Sequence, residues 1–337
     1  MSEILDKEFE KLIDNLDIEY FSDKEILITG ATGNIMSYWI HFLYYCQKKG
    51  IYLKKVHAVT LSGNFPRTMR APSNFTVHKG DLTEPRFIES LPFVDVVIHA
   101  GGYAQPGKFL SDPIKTMFIN TSSTYYLSQK VRDGGVFLFL SSSEVYSGLD
   151  EKNYREDRIG TTTPSHPRAP YIEGKRGGET ISQILFREKR IKSISARVSL
   201  AYGPGFRSGD SRVLNSFIEN AVLRKEISMI DGGEAIRTYC YIPDAIFQLW
   251  KIITSGTKPT FNVGGTSRTS IRNLAEIIAD QTGSLLLIPE ISSPILGAPT
   301  DVSVDLSEIL QLCGDLELTS LEDGIRQTIY WYNNEIS

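Results

Sequence analysis

Residues 25–35, Glu-Ile-Leu-Ile-Thr-Gly-Ala-Thr-Gly-Asn-Ile, set a short apolar run directly against a glycine-bearing turn and the start of a helical stretch. A run so short and so apolar suits a strand buried on both faces of a parallel sheet. Glycines in the turn that follows let backbone N–H groups at a helix N-terminus approach a pyrophosphate. The same alternation recurs downstream. Strands are expected at 25–29, 56–61, 75–78, 94–99, 136–141 and 193–198, and helices at 35–49, 113–131 and 171–188. Such alternation implies β-α-β crossovers and predicts an α/β fold, a Rossmann-type doubly wound parallel sheet. Ile4, Phe9, Leu12, Ile13 and Leu16 recur at helical spacing and predict a helix docked ahead of the first strand.

The pattern changes after Tyr202-Gly203-Pro204-Gly205. A polar loop leads to a helix at 213–224, short strands, and a helix at 271–282. Between them Tyr239-Cys240-Tyr241-Ile242-Pro243-Asp244 returns to a helix of the main unit. The expected organisation is a dinucleotide-binding domain of residues 1–204 plus about 236–264, and a smaller substrate-binding lobe of 205–235 and 265–337.

The bulk numbers narrow the function. The 337 residues are 41% hydrophobic and 23% charged, with a net charge of −4. That balance argues against a nucleic-acid partner, which wants clustered positive charge. Residues 1–20 are charged and amphipathic, unlike a signal peptide, and no apolar stretch has the length of a membrane span. Cys46, Cys240 and Cys313 are widely spaced and read as reduced thiols of a cytoplasmic protein. The five histidines show no metal-ligand spacing, so no metal is expected.

Chemistry enters with Tyr171 and Lys175. An i,i+4 pair shares one helix face, and an ammonium beside a phenol can draw its pKa down from about 10 and make it a base. Ahead of the pair, Ser142-Ser143-Glu144-Val145-Tyr146 ends a strand. The candidate cofactor turn contains Gly30, Thr32, Gly33, Asn34 and Ile35, with Met36 where a third glycine is usual. NAD-binding chains offer an acid at the end of the second strand to hydrogen-bond the ribose. Ser62 occupies that place here, with Asn64, Arg67 and Arg70 downstream. Nothing there repels a 2′-phosphate, so NAD and NADP both stay open. Asp81-Leu82, after the third strand, suits an adenine contact.

Together these motifs resemble the extended short-chain dehydrogenase/reductases of the nucleotide-sugar epimerase/dehydratase type, from about Lys24 to Trp331. Within them the chain is most similar to the UDP-glucuronate decarboxylases, or UDP-xylose synthases. The resemblance is carried by His99-Ala100-Gly101-Gly102-Tyr103-Ala104-Gln105-Pro106, Asp112-Pro113-Ile114-Lys115-Thr116, Asn120-Thr121 and Ser142-Ser143-Glu144-Val145-Tyr146. It is carried also by Pro167-Arg168 ahead of Tyr171-x-Glu173-Gly174-Lys175-Arg176, by Gly209-Asp210-Ser211-Arg212-Val213 and by Ile236-Arg237-Thr238-Tyr239.

The resemblance implies a bound nicotinamide that takes hydride from C4 of a nucleotide sugar. Ala100, Gly101 and Asn120 would join the cofactor site. Tyr171 would take the C4 hydroxyl proton, Lys175 would hold the ribose and acidify Tyr171, and Ser142 would hydrogen-bond O4. Tyr103, Arg212 and Arg237 would contact the substrate. Dehydratases eliminate with an Asp-Glu pair; Ser143-Glu144 replaces it here and fits the decarboxylase pattern. One departure is Leu200, where relatives carry an Asn that contacts phosphate. With Ser62 it keeps a 4-epimerase or 4-keto-sugar reductase open. In relatives the helix matching Tyr171 and Lys175 joins a four-helix dimer interface. That implies a homodimer here, with Leu127, Ile181, Ile184 and Leu185 as candidate contacts.

Overall fold

The computed structural model describes residues 3–63, 74–206, 208–289, 301–314 and 317–335. The N-terminal half runs α1 (Glu3–Asn15), β1 (Glu25–Thr29), α2 (Asn34–Lys48), β2 (Lys55–Thr60), β3 (Phe75–Lys79), α3 (Pro85–Ser90) and β4 (Val94–His99). It continues with α4 (Pro106–Ser111), α5 (Pro113–Asn120), α6 (Ser122–Ser128), β5 (Val131–Ser142), α7 (Ala169–Glu188) and β6 (Lys192–Val198). Then come β7 (Leu200–Tyr202), α8 (Val213–Arg224), β8 (Glu226–Ser228), β9 (Ile236–Tyr241), α9 (Ile242–Ser255), β10 (Thr260–Val263) and β11 (Ser267–Ser270). The chain closes with α10 (Ile271–Thr282), β12 (Leu285–Leu287), β13 (Asp301–Val302), α11 (Ser307–Cys313) and α12 (Leu321–Glu335).

Seven strands form one sheet in the order β10-β6-β5-β4-β1-β2-β3, parallel at every pairing. The order reverses between β1 and β4. In doubly wound sheets the crevice beyond the carboxyl ends at such a point is where ligands bind. Strand side chains alternate between faces, and both faces are covered. Ile26, Ile28, Val96, Ile98 and Leu138 belong to a core with α1, α2 and α9, while Leu27, Val97, Phe137 and Phe139 pack with α3 and α6 on the other side. Strands β7, β9, β11 and β13 form a second sheet, and β8 pairs with β12.

The strands and the helices at 171–188, 213–224 and 271–282 fall where the apolar pattern places them. The helix expected over 113–131 does not. It breaks at Thr121 into α5 and α6, and Val131 already belongs to β5. Hydroxyl side chains compete for the backbone here. Thr121 Oγ1 donates to the Met117 carbonyl at 2.8 Å, Thr124 Oγ1 to the Asn120 carbonyl at 2.6 Å, and Ser123 Oγ to the Leu82 carbonyl at 2.6 Å. Helix α4 was not expected from the pattern at all.

Glycines in α7 allow its close approach. A Cβ on Gly178 would stand 2.4 Å from the Phe139 ring and 2.6 Å from the Asn120 carbonyl oxygen. Any larger residue would push α7 off α5 and β5.

Helix α1 is anchored by a half-buried carboxylate. Glu8 accepts from the Tyr38 hydroxyl at 2.8 Å and from the Tyr241 hydroxyl. Asp244, nearby on α9, accepts from the Thr319 backbone N–H at 2.8 Å and hydroxyl at 3.0 Å. Burial pushes Glu8 up to about 7, against the pull of the two tyrosines, and the Asp244 charge adds to the rise. Burial likewise raises Asp244 to about 6. A carboxyl raised on folding contributes its full stability below its unfolded pKa and loses it as pH climbs through the folded value. Glu8→Gln removes that titration. Relative to the variant, the wild type should therefore lose roughly 2 kcal/mol of stability between about pH 5 and 8. Chemical denaturation across that range checks it, and parallel profiles for the two proteins would refute the raised-carboxylate account.

Candidate active site

The crevice between β1 and β4 begins at Gly30, whose φ of +63° suits glycine. A Cβ there would lie 2.5 Å from the Ala100 carbonyl oxygen, so the two turns meet backbone to backbone. Gly33 caps α2 in extended conformation, leaving the helix N-terminus directed at the crevice. Thr32, Asn34 and Ile35 are half-buried, and the Asn34 amide nitrogen is buried without a partner. Met36 is buried in the core, so a side chain fits where a third glycine is usual.

A relay of three hydrogen bonds fixes the other wall. The His99 Nε2 lies 3.0 Å from the Ile119 carbonyl, which can only accept, so Nε2 carries the proton. Nδ1 therefore accepts from the Thr29 hydroxyl at 2.8 Å, and Thr29 Oγ1 accepts from the Gly101 N–H at 3.0 Å. Burial pushes His99 down to about 3, keeping it neutral. Leu82 lies against Gly101, where a Cβ would come within 2.5 Å of its methyl. Asp81 pairs with Lys115 at 2.5 Å and accepts from the Thr83 N–H and hydroxyl. Burial works to raise its pKa, but these contacts outweigh it and hold the carboxyl below its usual value. Ser62 is exposed just past β2. Asn64, Arg67 and Arg70 lie outside the described residues.

Tyr171 and Lys175 share the buried face of α7, as their spacing predicts. Lys175 donates to the Leu140 carbonyl at 2.7 Å and lies 4.9 Å from the Phe139 ring centroid. Burial draws it down to about 7, opposed by Glu179. Gly102 and Asn120 are its neighbours across the crevice, and the Asn120 side-chain Oδ1 is buried and unpartnered. Tyr171 is stacked on Phe109 at 4.8 Å and 15°. The expected acidification of Tyr171 by Lys175 is not what the geometry gives. Burial raises the phenol to about 12; a hydrogen bond with Ser142 and the charge of Arg168 pull it down, and Glu144 pushes it up. The ammonium stands 5.8 Å from the phenol ring centroid and is turned to Leu140.

Ser142 ends β5 and caps the short 3-10 turn Ser143–Tyr146, accepting from the Glu144 N–H at 3.2 Å. Ser143 is buried. Glu144 pairs with Arg168 at 2.5 Å, and its second oxygen is buried without a partner. Arg237 belongs to the same electrostatic cluster. Burial lowers its pKa, as does the charge of Arg168, while Tyr239, Glu144 and Asp301 raise it. Two further candidates are engaged elsewhere. Arg212 is tied to Asp210, which also accepts from Gln105 at 3.1 Å and Asn215 at 3.0 Å. The Tyr103 hydroxyl lies within electrostatic reach of Lys115. In the sequence Arg168 is one residue of the Pro167-Arg168 motif with no role of its own; its partner Glu144 stands on another element and meets it only in the fold.

These positions are held from below. Glu179, one turn beyond Lys175, accepts from Arg197 Nε and Nη2 at 3.0 and 2.8 Å and from Ser141 at 2.5 Å. Arg197 reaches on to the Tyr146 hydroxyl at 2.8 Å, which donates to Asn262 at 2.7 Å.

The NAD dependent epimerase/dehydratase family matches residues 26–264. The chain belongs to that family. It is 28% identical over 330 residues to a UDP-glucuronic acid decarboxylase of Xenopus tropicalis, covering 95% of this chain and 75% of that protein. A UDP-glucuronic acid decarboxylase of Arabidopsis thaliana is 26% identical over 309 residues, 90% of this chain and 87% of the relative. Among solved structures, the dTDP-glucose 4,6-dehydratase DesIV of Streptomyces venezuelae superposes with a TM-score of 0.79 at 19% identity, over 92% of this chain and 97% of its own. The UDP-glucose 4-epimerase of Thermotoga maritima gives 0.77 at 21%, over 93% and 100%. The fold is thus that of the family's epimerases and dehydratases.

The residues present fit a nicotinamide dinucleotide. Gly30 and Gly33 put no side chain over the α2 N-terminus, the room a pyrophosphate would take, and the unpartnered Asn34 Nδ2 and Asn120 Oδ1 offer a donor and an acceptor. Filling that room should block binding. Gly33→Leu should weaken NAD affinity about tenfold or more in calorimetry, and an unchanged affinity would remove the cradle from this turn.

Proposed function

We propose that this enzyme oxidises C4 of a nucleotide-linked sugar with NAD and decarboxylates UDP-glucuronate. The observation that carries the reading is Glu144, followed in space by Arg168 and Arg237, where elimination chemistry wants an Asp-Glu pair. The curated relatives support the same substrate. Tyr171 takes the C4 hydroxyl proton, with Ser142 orienting the oxygen and Lys175 holding the nicotinamide ribose. When bound, the nicotinamide would supply the hydride acceptor for C4 and the donor for the later reduction. A C5 carboxylate beside a C4 ketone is a β-keto acid and loses CO2. Protonation of the resulting enolate at C5 gives the 4-ketone, and Tyr171 returns its proton to the C4 oxygen as that ketone is reduced, so the cofactor would not need to exchange. Arg212 and Tyr103 are proposed to contact the substrate, and Arg237 to lie near its phosphates or its reacting end.

A second reading is a 4-epimerase or an NADPH-dependent 4-keto-sugar reductase. Two observations favour it: Leu200 lies exposed on β7 in the place of the phosphate-contacting Asn, and Ser62 puts no acid beside a 2′-phosphate. Substitutions separate the steps. Tyr171→Phe should still bind NAD while turnover falls about 100-fold or more. Glu144→Gln should spare reduction of the nicotinamide, followed by stopped-flow absorbance, more than it spares CO2 release. Full turnover in Tyr171→Phe would end the proposed mechanism.

We place residues 1–204 and about 236–264 in the dinucleotide-binding domain, and 205–235 with 265–337 in a substrate lobe that contributes β8, β11, β12 and β13. The three cysteines are free and buried, which fits a cytoplasmic protein. No helix among the described residues is long and apolar enough to cross a membrane.

The homodimer reading keeps its helices and changes its residues. Leu127 and Leu185 are buried in the subunit core, while Ile184 is 50% exposed. Ile114 and Phe118 on α5 and Tyr125 on α6 are exposed at 65%, 50% and 51%. Helices α5 and α7 pack together, so these rings and Ile184 offer an apolar face to a second copy. Phe118→Asp should convert a dimer to monomer in sedimentation at micromolar concentration. A wild type that is monomeric under those conditions would overturn the dimer.

A further inference from the structure

A stacked column runs through the site. Phe109, from α4, lies face to face with Tyr171, and Arg168 stands 5.4 Å from the Phe109 ring centroid. Arg168 then reaches Glu144 at 2.5 Å. Four residues are thereby joined contact by contact: the proton-transferring phenol, a spacer ring, a cation and the carboxylate. Two atoms of the column have no protein partner although both are buried, Arg168 Nε and the second Glu144 oxygen. The Tyr239 hydroxyl, on the strand that carries Arg237, is buried and unpartnered as well. Unsatisfied buried donors and acceptors cost stability unless something else satisfies them. Arg168 and Glu144 therefore depend on each other for the one contact that offsets their charges.

We propose that Arg168 is a positioning residue for the reaction, clamping Glu144 and, across Phe109, setting the charge that Tyr171 experiences. The proposal rests on the nucleotide-sugar reading of this site and adds the device that tunes its acid/base pair. Two opposite charges act on the Tyr171 hydroxyl, Glu144 disfavouring the phenolate and Arg168 favouring it. The groups around them are Ser142 at the phenol, Lys175 on the same face of α7, and Arg237, which itself neighbours Tyr239 and Asp301. With Arg168 in place the carboxylate's charge is offset at short range and Arg237 is left to meet the substrate. Without it, Glu144 acts on Tyr171 uncompensated, and phenolate forms only at higher pH.

The test uses the NAD-loaded full chain, with UDP-glucuronate and UDP-glucose as probes and reduced-nicotinamide absorbance as readout. In Arg168→Gln the alkaline-rising limb of the single-turnover rate should move up by about one pH unit, with the rate near neutrality falling about tenfold and the substrate concentration for half-saturation changing little. Arg168→Lys keeps the cation and should restore the limb to its wild-type position. A loss of thermal stability with an unmoved limb would overturn the proposal, making Arg168 merely structural. A raised half-saturation with an unmoved limb would overturn it too, making Arg168 a substrate contact. CO2 release is measured in parallel. Reduction without CO2 from UDP-glucuronate would sink the decarboxylase reading alone. No reduction by the wild type with either sugar would overturn both.

Discussion

The buried pair of Glu179 and Arg197 is the contact on which the site's geometry rests. It joins α7 to β6 with a forked, multiply hydrogen-bonded interaction, and Ser141 ties the end of β5 to the same carboxylate. Tyr171 and Lys175 lie two turns and one turn upstream on the same helix, and Ser142 and Glu144 directly follow Ser141. A shift of α7 along β5 would separate the phenol from Ser142 and the lysine from Leu140 together. Removing one partner of such a buried pair generally costs about 3–5 kcal/mol, because the other charge is stranded. The rest of the network gives Arg197 no exit. Its Nη1 faces the Tyr146 hydroxyl and the carbonyls of Glu156 and Arg158, all at 2.8 to 3.0 Å. Register here is therefore fixed by charge and direction, not by apolar packing alone.

Burial then acts in opposite directions on the two groups proposed for catalysis. It makes the lysine a weaker base and the phenol a weaker acid, Lys175 down to about 7 and Tyr171 up to about 12. Both shifts disfavour charge in a site of low polarity. The protein therefore tunes Tyr171 through neighbours at the mouth, Ser142, Arg168 and Glu144, more than through the lysine one turn away. That arrangement leaves Lys175 free to act as a donor in the crevice, beside Gly102 and Asn120.

The parts of this fold legible in the sequence were those set by local period and by short motifs. The sheet strands read as apolar runs because both faces are buried, and α7 carried its chemistry on one face at i,i+4. What escaped was decided by partners distant in sequence. The break at Thr121 depends on hydroxyls that find carbonyls one turn back, a choice helical periodicity does not record. Leu127 and Leu185 have the same apolar character as Ile184, yet only the sheet underneath shows which of them faces inward. Arg168 looks like any residue ahead of a helix until Glu144 arrives from the end of β5. The expectation that Lys175 acidifies Tyr171 failed for a similar reason: spacing puts the two on one face, while the Leu140 carbonyl decides where the ammonium points.

The His99 relay shows how the same logic prepares the cofactor crevice. Its proton position follows from the Ile119 carbonyl, and from that single assignment the directions of the Thr29 and Gly101 hydrogen bonds follow. Thr29 ends β1, Gly101 lies just past β4, and Ile119 precedes Asn120 near the end of α5. The two strands that flank the switch point and the helix beside Lys175 are thus locked by one neutral imidazole. A charged His99 would have two donors and no acceptor, and the Thr29 hydroxyl would have to reverse or leave. Burial, by holding that imidazole neutral, preserves the direction of every bond in the chain. The crevice walls are in this way set by the protein's own groups before any ligand contributes, which is the condition for a site to orient a reacting ring without reorganising around it.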